Sequence, residues 1–458
     1  MPAARRKMRP SHPPVSRALP LRPVPEPLSL TMSELGPSPL AAGHELPVDA
    51  ARALIAAALQ PLTDAETVPL QQALGRVLAV DVISPIDVPA HDNSAMDGYA
   101  LRGSDLRQDA ATTLTAVAGT VFAGSPLSSV LPAGHCVRIM TGAVMPPELD
   151  TVVPIELCTV EGDRVQVQPG VIKGGDNRRR QGEDLRLGLP ALTAGQRLRP
   201  ADLGLLASLG VVGVTVFRRL KVALFSTGDE LRNPGEPLPA GCIYDSNRQS
   251  LLGALGCLGV DVLDLGLVAD DPVALNATLD RALAEADVVL TSGGVSMGDA
   301  DYTRDLLAAR GEVGFWKVAM RPGRPFAFGP LRGPDHAQGG KPVWLFALPG
   351  NPVAALVTFH VFARDGLLQL SGARPQPVPR LRARSMSAIR KRPGRSEFQR
   401  GILEPGADGR GQVRLTGAQG AGILRSMSEA NALVVLGHDQ GSVAAGDDVD
   451  VWLFDGLL

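Results

Sequence analysis

Paired cysteines are missing from this sequence. Its four cysteines, Cys136, Cys158, Cys242 and Cys257, stand far apart, without the C-x-x-C spacing of a zinc site or a redox centre. They read as reduced residues of a cytoplasmic protein. The seven histidines show no H-E-x-x-H spacing, so zinc chemistry is not expected. No apolar run is long enough to cross a bilayer. With 45 Lys and Arg against 47 Asp and Glu, the charges nearly cancel, and neither nucleic acid nor a membrane is expected as a partner. There is no G-x-x-x-x-G-K-[ST] loop and no G-x-G-x-x-G after a strand. P-loop ATPase and Rossmann dehydrogenase readings therefore lose their support.

What is present begins with an atypical first stretch. The first forty residues hold ten prolines and six Lys or Arg against two acids, with little apolar periodicity. Residues 1–43 read as a disordered extension without the apolar segment of a secretory signal, and Met32 rivals Met1 as the initiator. The remaining length suits roughly three or four domains.

Helical spacing of Leu54, Ile55, Ala58 and Leu59 behind Asp49 predicts a capped helix over Leu46–Leu59. A shorter helix near Leu70–Val77 and an extended run, Leu78–Ile83, follow. Short apolar runs at Thr113–Val121, Cys136–Met140, Thr151–Leu157 and Arg164–Gln168, broken by Gly, Pro and Asp, predict a β-rich domain over 85–187. Residues 44–84 and 188–218 form a discontinuous helical linker domain, with a helix at Pro200–Leu209. Residues 219–372 alternate strands and helices as a doubly wound α/β sheet does. Its strands are Lys221–Phe225, Val260–Val268, Val288–Thr291, Phe315–Ala319 and Val343–Leu348. Its helices are Asn247–Leu258, Val273–Glu285, Tyr302–Ala309 and Val353–Leu370. Residues 373–458 return to β texture and predict a small barrel or sandwich. The fold class is multidomain α/β plus β.

Ligands of open parallel sheets sit beyond the carboxyl ends of the strands. Five connections there carry glycines, carboxylates and cations: Thr227-Gly-Asp-Glu230, Ala269-Asp-Asp271, Ser292-Gly-Gly-Val-Ser296, Met320-Arg-Pro-Gly-Arg-Pro325 and Leu348-Pro-Gly-Asn-Pro352. Unhindered amides at Gly293 and Gly294 suit an anion. Asp299 and Asp301 follow closely, and acids beside a phosphate repel it unless a divalent cation intervenes, so phosphate plus Mg²⁺ is the expected ligand set. Asp271 reads as a helix cap, which leaves Asp270 open to function; Asp245 or Ser246 reads as another cap. Arg321 and Arg324 are candidates to neutralise an oxyanion. Upstream, Asp92-Asn-Ser-Ala-Met-Asp-Gly-Tyr-Ala100, Arg138-Ile-Met-Thr-Gly142 and Asn177-Arg-Arg-Arg-Gln-Gly-Glu-Asp184 form a second polar cluster.

In order along the chain, DNSAMDGYA, RIMTGA, RRRQGED, ALFSTGDEL, YDSN, TSGGVSMGDADY, RPGRPFAFG, ALPGNP and FQRG resemble the MoeA family of molybdopterin molybdenumtransferases, which includes the E domain of gephyrin. The likeness runs from about Val48 to the C-terminus. It implies an elongated homodimer of four-subdomain subunits with a MogA-like α/β domain. It further implies insertion of molybdate into adenylylated molybdopterin with release of AMP, dependence on Mg²⁺, and a MogA-type adenylyltransferase as partner. On the matching positions, Asp97, Asp184, Glu230 and Lys317 are expected in catalysis, and Asp270, Asp301 and Glu230 on the metal. Thr141, Gly293, Gly294, Ser296, Arg321, Arg324 and Arg400 are expected on the substrates, with Asp97 and Thr141 reaching over from the second subunit. Two departures stand out. Many relatives have lysine at one or both of positions 321 and 324, and several have serine at position 421, where this chain has alanine. A gephyrin-like scaffold and a CinA-like pyrophosphate hydrolase are the competing readings.

Overall fold

The computed structural model describes residues 45–294, 302–332 and 342–456. Ser296, Asp299 and Asp301 lie outside them.

The first helix, Val48–Ala58, buries Val48, Ala51 and Ile55. Pro47 holds the N-cap position without a side-chain bond, and Asp49 lies inside the first turn instead of capping it. The helix expected near Leu70–Val77 is a single 3-10 turn, Leu70–Gln72. Gly75 stops it, at φ 74°, a left-handed conformation that suits glycine. Ala65–Pro69 pairs antiparallel with Gly213–Phe217, so the chain returns to this region after a long excursion. Val68, Leu78, Leu198, Leu206, Val214 and Val216 form its core. The excursion is a six-stranded sheet in the order Thr151–Pro154, Gly98–Leu101, His135–Ile139, Thr112–Val121, Arg164–Val167, Cys158–Glu161. Inside it, burial pushes the Cys136 and Cys158 thiols up to about 12 and about 11. Both cysteines are therefore thiols at neutral pH.

The central sheet has the order Asp261–Val268, Lys221–Thr227, Val288–Ser292, Val343–Leu348, Pro325–Leu331, Gly314–Lys317. The first four strands are parallel. Pro325–Leu331 runs antiparallel to both its neighbours, so the sheet is mixed. That strand was not foreseen, because Pro325 and Pro330 bracket it. The caps are Asp245, which accepts from the Arg248 amide at 3.0 Å, and Asp271, which accepts from Ala274 at 2.9 Å. Each satisfies an amide that the first helical turn leaves unpaired.

Two cores cover the sheet. One joins Val222, Leu224, Leu290, Phe326, Phe346, Phe359 and Phe362 to the first helix and to the C-terminal Phe398, Leu433 and Trp452. The other packs Ala223, Phe225, Val289, Leu345 and Ala347 against Leu275, Leu279 and Leu283. The 19-residue helical stretch Pro352–Leu370 is the one candidate among the described residues long and apolar enough to cross a membrane, yet most of it is buried in the protein. A π-helical turn, Phe359–Ala363, interrupts it.

The C-terminal region is a closed five-stranded barrel. Ser396–Pro405 pairs with Gly411–Leu415 on one side and Ala432–Leu436 on the other. Leu381–Ser385 and Asp448–Leu453 complete the ring. Closure leaves no free sheet edge within the ring.

Candidate functional site

The carboxyl ends of the parallel strands form one rim. The antiparallel pairings of Pro325–Leu331 bring the end of Gly314–Lys317 to the same rim as Leu348. Gly293 has φ 97° and Gly294 φ 68°. A Cβ on Gly293 would lie 2.6 Å from the Thr227 carbonyl oxygen. That backbone therefore requires glycine. The Gly293 amide donates to the Leu348 carbonyl at 3.1 Å, drawing two strand ends together. Asn247 Nδ2 completes the tie, donating to Ser292 Oγ and to the Gly350 carbonyl, both at 2.7 Å. Asn247 lies in the YDSN motif, but its role as a clamp depends on a contact 103 residues away.

Beside this cradle, acids gather on two neighbouring strand ends. Thr227 Oγ1 donates to Asp270 Oδ1, and the Asp270 amide donates to Asp229 Oδ1 at 3.2 Å. The Glu230 carboxylate folds back against Gly228. Among the described residues no three His, Cys, Asp or Glu form a ready-made metal cage. The donors are all hard oxygens. That set suits Mg²⁺, which binds through one or two carboxylates and completes its shell with water and phosphate oxygens.

The rim continues to the barrel. The Val353 amide, at the start of the Pro352–Thr358 helix, donates to the Ala421 carbonyl at 3.0 Å. Arg400 is 1% exposed. Its Nε donates to Ser426 Oγ at 2.9 Å and one terminal nitrogen to the Gly420 carbonyl at 3.0 Å. It forms no ion pair with a carboxylate among the described residues. Burial first, then the charge of Arg321, pull its pKa down to about 10. The guanidinium is still charged at neutral pH, and a buried charge without a counterion is unfavourable. Arg400, Arg321 and Arg390 line a cavity of about 210 Å³. Gln419 fixes its wall, accepting from the Arg400 amide at 2.8 Å and donating to the Arg400 carbonyl at 3.1 Å.

The other expected site residues scatter. Arg324 is ion-paired with Glu45, which also takes Arg395 at 3.2 Å, so its charge is already matched away from the cavity. Lys317 ends its strand on the rim, without a side-chain partner among the described residues. In the N-terminal sheet, Asp97 and Thr141 meet: the Thr141 hydroxyl and amide both donate to Asp97 Oδ1 at 2.7 Å. Those two bonds, helped by Arg138, hold the Asp97 carboxyl below its ordinary range. Asp97 is therefore a carboxylate at neutral pH and not an acid in waiting. Arg178 and Arg179 pair with Ser94 and Asn93, so two motifs far apart in sequence meet in one two-stranded sheet. Asp184 is exposed there, its amide bonded to the Val88 carbonyl at 3.0 Å. Within the described chain, no contact joins this cluster to the rim.

Comparison with known proteins agrees with this architecture. Residues 46–210 match the MoeA N-terminal region, residues 223–369 a probable molybdopterin binding domain, and residues 382–454 the MoeA C-terminal region. The chain is 41% identical over 414 residues to the molybdopterin molybdenumtransferase of Haemophilus influenzae, covering 90% of this chain and 100% of that one. It is 37% identical over 392 residues to the molybdopterin molybdenumtransferase of a Nostoc species, covering 84% and 88%. The crystal structure of the molybdopterin biosynthesis moeA protein from Pyrococcus horikoshii superposes with a TM-score of 0.75 at 29% identity, over 90% of this chain and 100% of that one. With its three regions matched in order and its relatives covered nearly end to end, the chain belongs to the MoeA family.

Proposed function

We propose that this protein is a molybdopterin molybdenumtransferase, taking adenylylated molybdopterin and molybdate and releasing AMP. The observation that carries the reading is Arg400, a buried cation with no carboxylate partner among the described residues, on a rim that also holds a glycine cradle. A tetrahedral dianion entering beside Arg400 and Arg321 would supply the missing negative charge. The Gly294 amide would receive substrate phosphate, while the Gly293 amide, expected in the same role, is committed to the Leu348 carbonyl, and Asn247 keeps the two strand ends at a fixed separation.

Asp270 and Glu230 would hold Mg²⁺ against the diphosphate. When bound, the ion screens that diphosphate and stabilises charge on the departing AMP phosphate. Thr227 orients Asp270 through its hydroxyl. The Asp97–Thr141 pair lies on a separate sheet, so it would reach the ligand from the second subunit of a homodimer. A MogA-type adenylyltransferase in the same cytoplasmic compartment would deliver the substrate.

The test is AMP release from adenylylated molybdopterin with Mg²⁺, with and without molybdate. Release that depends on molybdate is the expected result. Normal ligand binding without AMP release would refute the reading, and molybdate-independent release would assign a pyrophosphate hydrolase.

A further inference from the structure

The cavity at the barrel mouth contains a group that the oxyanion chemistry does not use. Glu397 is 8% exposed and lines the cavity together with Gln399. Both lie on the strand face that points into the barrel, since their register partners Leu436 and Val434 belong to the barrel core. Gln399 Nε2 donates to Glu397 Oε2 at 2.8 Å. Among the described residues the carboxylate receives no other side-chain hydrogen bond and forms no ion pair. The nearby Lys391 feels its charge, but the Lys391 ammonium is surrounded by carbonyls, the nearest that of Gln440 at 2.7 Å. A carboxylate has about four acceptor positions, so most of this buried group's capacity faces the cavity unfilled. At the mouth stand the exposed Arg321, register partner of Glu397, and the exposed Arg390.

This polarity restricts the ligand. An anionic head would be repelled by Glu397. A cationic one would have to pass Arg321 and Arg390. A neutral head with two adjacent N–H donors, carrying an anionic tail, matches both. The 2-amino-4-oxopyrimidine edge shared by pterin and guanine has that form: its amino and ring N–H groups lie side by side and fit one carboxylate in a bidentate manner. We propose that Glu397, oriented by Gln399, is the recognition group for the pterin ring. The inference rests on the transferase reading above and adds the placement of the substrate's head. With the ring at Glu397, the substituents it carries extend towards Arg321 at the mouth; Arg400 presents its side chain on the opposite face of the same strand, where its register partner Leu433 joins the core against the central sheet.

The experiment titrates the full-length protein with 6-carboxypterin and follows quenching of pterin fluorescence. Saturable quenching is expected, weakened tenfold or more in Glu397→Gln and largely retained in Glu397→Asp. AMP binding should be unchanged in both variants, which shows that they are folded, and stabilisation by molybdate should be no weaker in Glu397→Gln, where the repelling charge is gone. Displacement of the pterin by guanosine would assign the site to the shared pyrimidine edge; failure of guanosine to compete would assign it to pterin alone. Equal quenching by wild type and Glu397→Gln, or no saturable quenching by protein that still releases AMP, overturns the inference and leaves the transferase reading standing.

Discussion

Replacing Arg400 with methionine should separate folding from oxyanion binding. In the free protein the substitution has two opposing effects. It removes a buried charge that no carboxylate pairs with among the described residues, and replacing buried ionic groups by apolar ones of similar volume is worth roughly 1–4 kcal/mol in favour of the variant. It also removes the bonds to Ser426 and Gly420, each roughly 1.5–3 kcal/mol when the donor is charged. Together the two bonds, about 3–6 kcal/mol, outweigh that gain by roughly 2 kcal/mol, and the thermal midpoint without ligand should fall by a few degrees. With ligand a second difference appears. At molybdate one hundred times its dissociation constant, wild-type protein gains about 2.7 kcal/mol. Loss of one charged contact of about 1.5–3 kcal/mol weakens affinity roughly 10- to 100-fold. At that same concentration the variant would then gain only about 0.4–1.4 kcal/mol. Thermal unfolding with and without molybdate reads the difference directly. Arg400→Lys, which keeps the charge and loses the planar fork, should fall between the two. An equal molybdate-induced rise in wild type and Arg400→Met would refute the assignment of this cation to the oxyanion.

Three further outcomes are expected. Gly293→Ala should abolish nucleotide binding and lower the thermal midpoint, because the new Cβ meets the Thr227 carbonyl and the backbone is left-handed; unchanged binding by calorimetry would remove the cradle from the mechanism. His360 is buried in the π-helical turn, stacked on Phe454, and desolvation first, then Arg364, pulls its pKa down from 6.5 to about 4. The folded state thus prefers the neutral ring, and stability fully present above pH 6.5 should be lost as pH falls towards 4, by on the order of 3 kcal/mol. Denaturant midpoints for His360→Phe should lack that part of the acid-side slope; an identical slope would exclude His360 as its source. Finally, on the homodimer proposed above, Asp97→Ala and Glu230→Ala should each abolish activity and a mixture of the two should recover part of it, since one of the two shared sites would then be intact; no recovery after subunit exchange would place both residues in a single chain's site.

Much of the central sheet was legible in the sequence because its parallel strands, covered on both faces, appear as unbroken apolar runs. Lys221–Thr227, Val288–Ser292 and Val343–Leu348 are of this kind. Pro325–Leu331 was hidden: its proline-rich approach has the composition of a turn, and only its two sheet neighbours make it a strand. The cradle was legible because a glycine with positive φ leaves a compositional mark. Asn247, Gln419 and Glu397 leave none. Each has the composition of an ordinary surface residue, and its role arises from partners or burial that chain folding supplies.

The two arginines of the Met320–Pro325 connection show why composition alone could not rank the cations. Arg321 lines the barrel-mouth cavity and lowers the pKa of Arg400 through its charge. Arg324, three residues on, is bound to Glu45. A lysine at position 324 could keep that ion pair, since its cation is half exposed and such a pair needs charge more than geometry. A lysine at 321 would present a point charge to the ligand where arginine presents a planar fork. The same reasoning covers Ala421. Its carbonyl is committed to the Val353 amide, and the hydroxyl beside Arg400 comes from Ser426. The contact that a serine at 421 would offer is thus partly supplied from the neighbouring helix. Substituting serine there should change oxyanion affinity less than Arg321→Lys does, because one adds a second hydroxyl and the other alters the form of a cation facing the ligand.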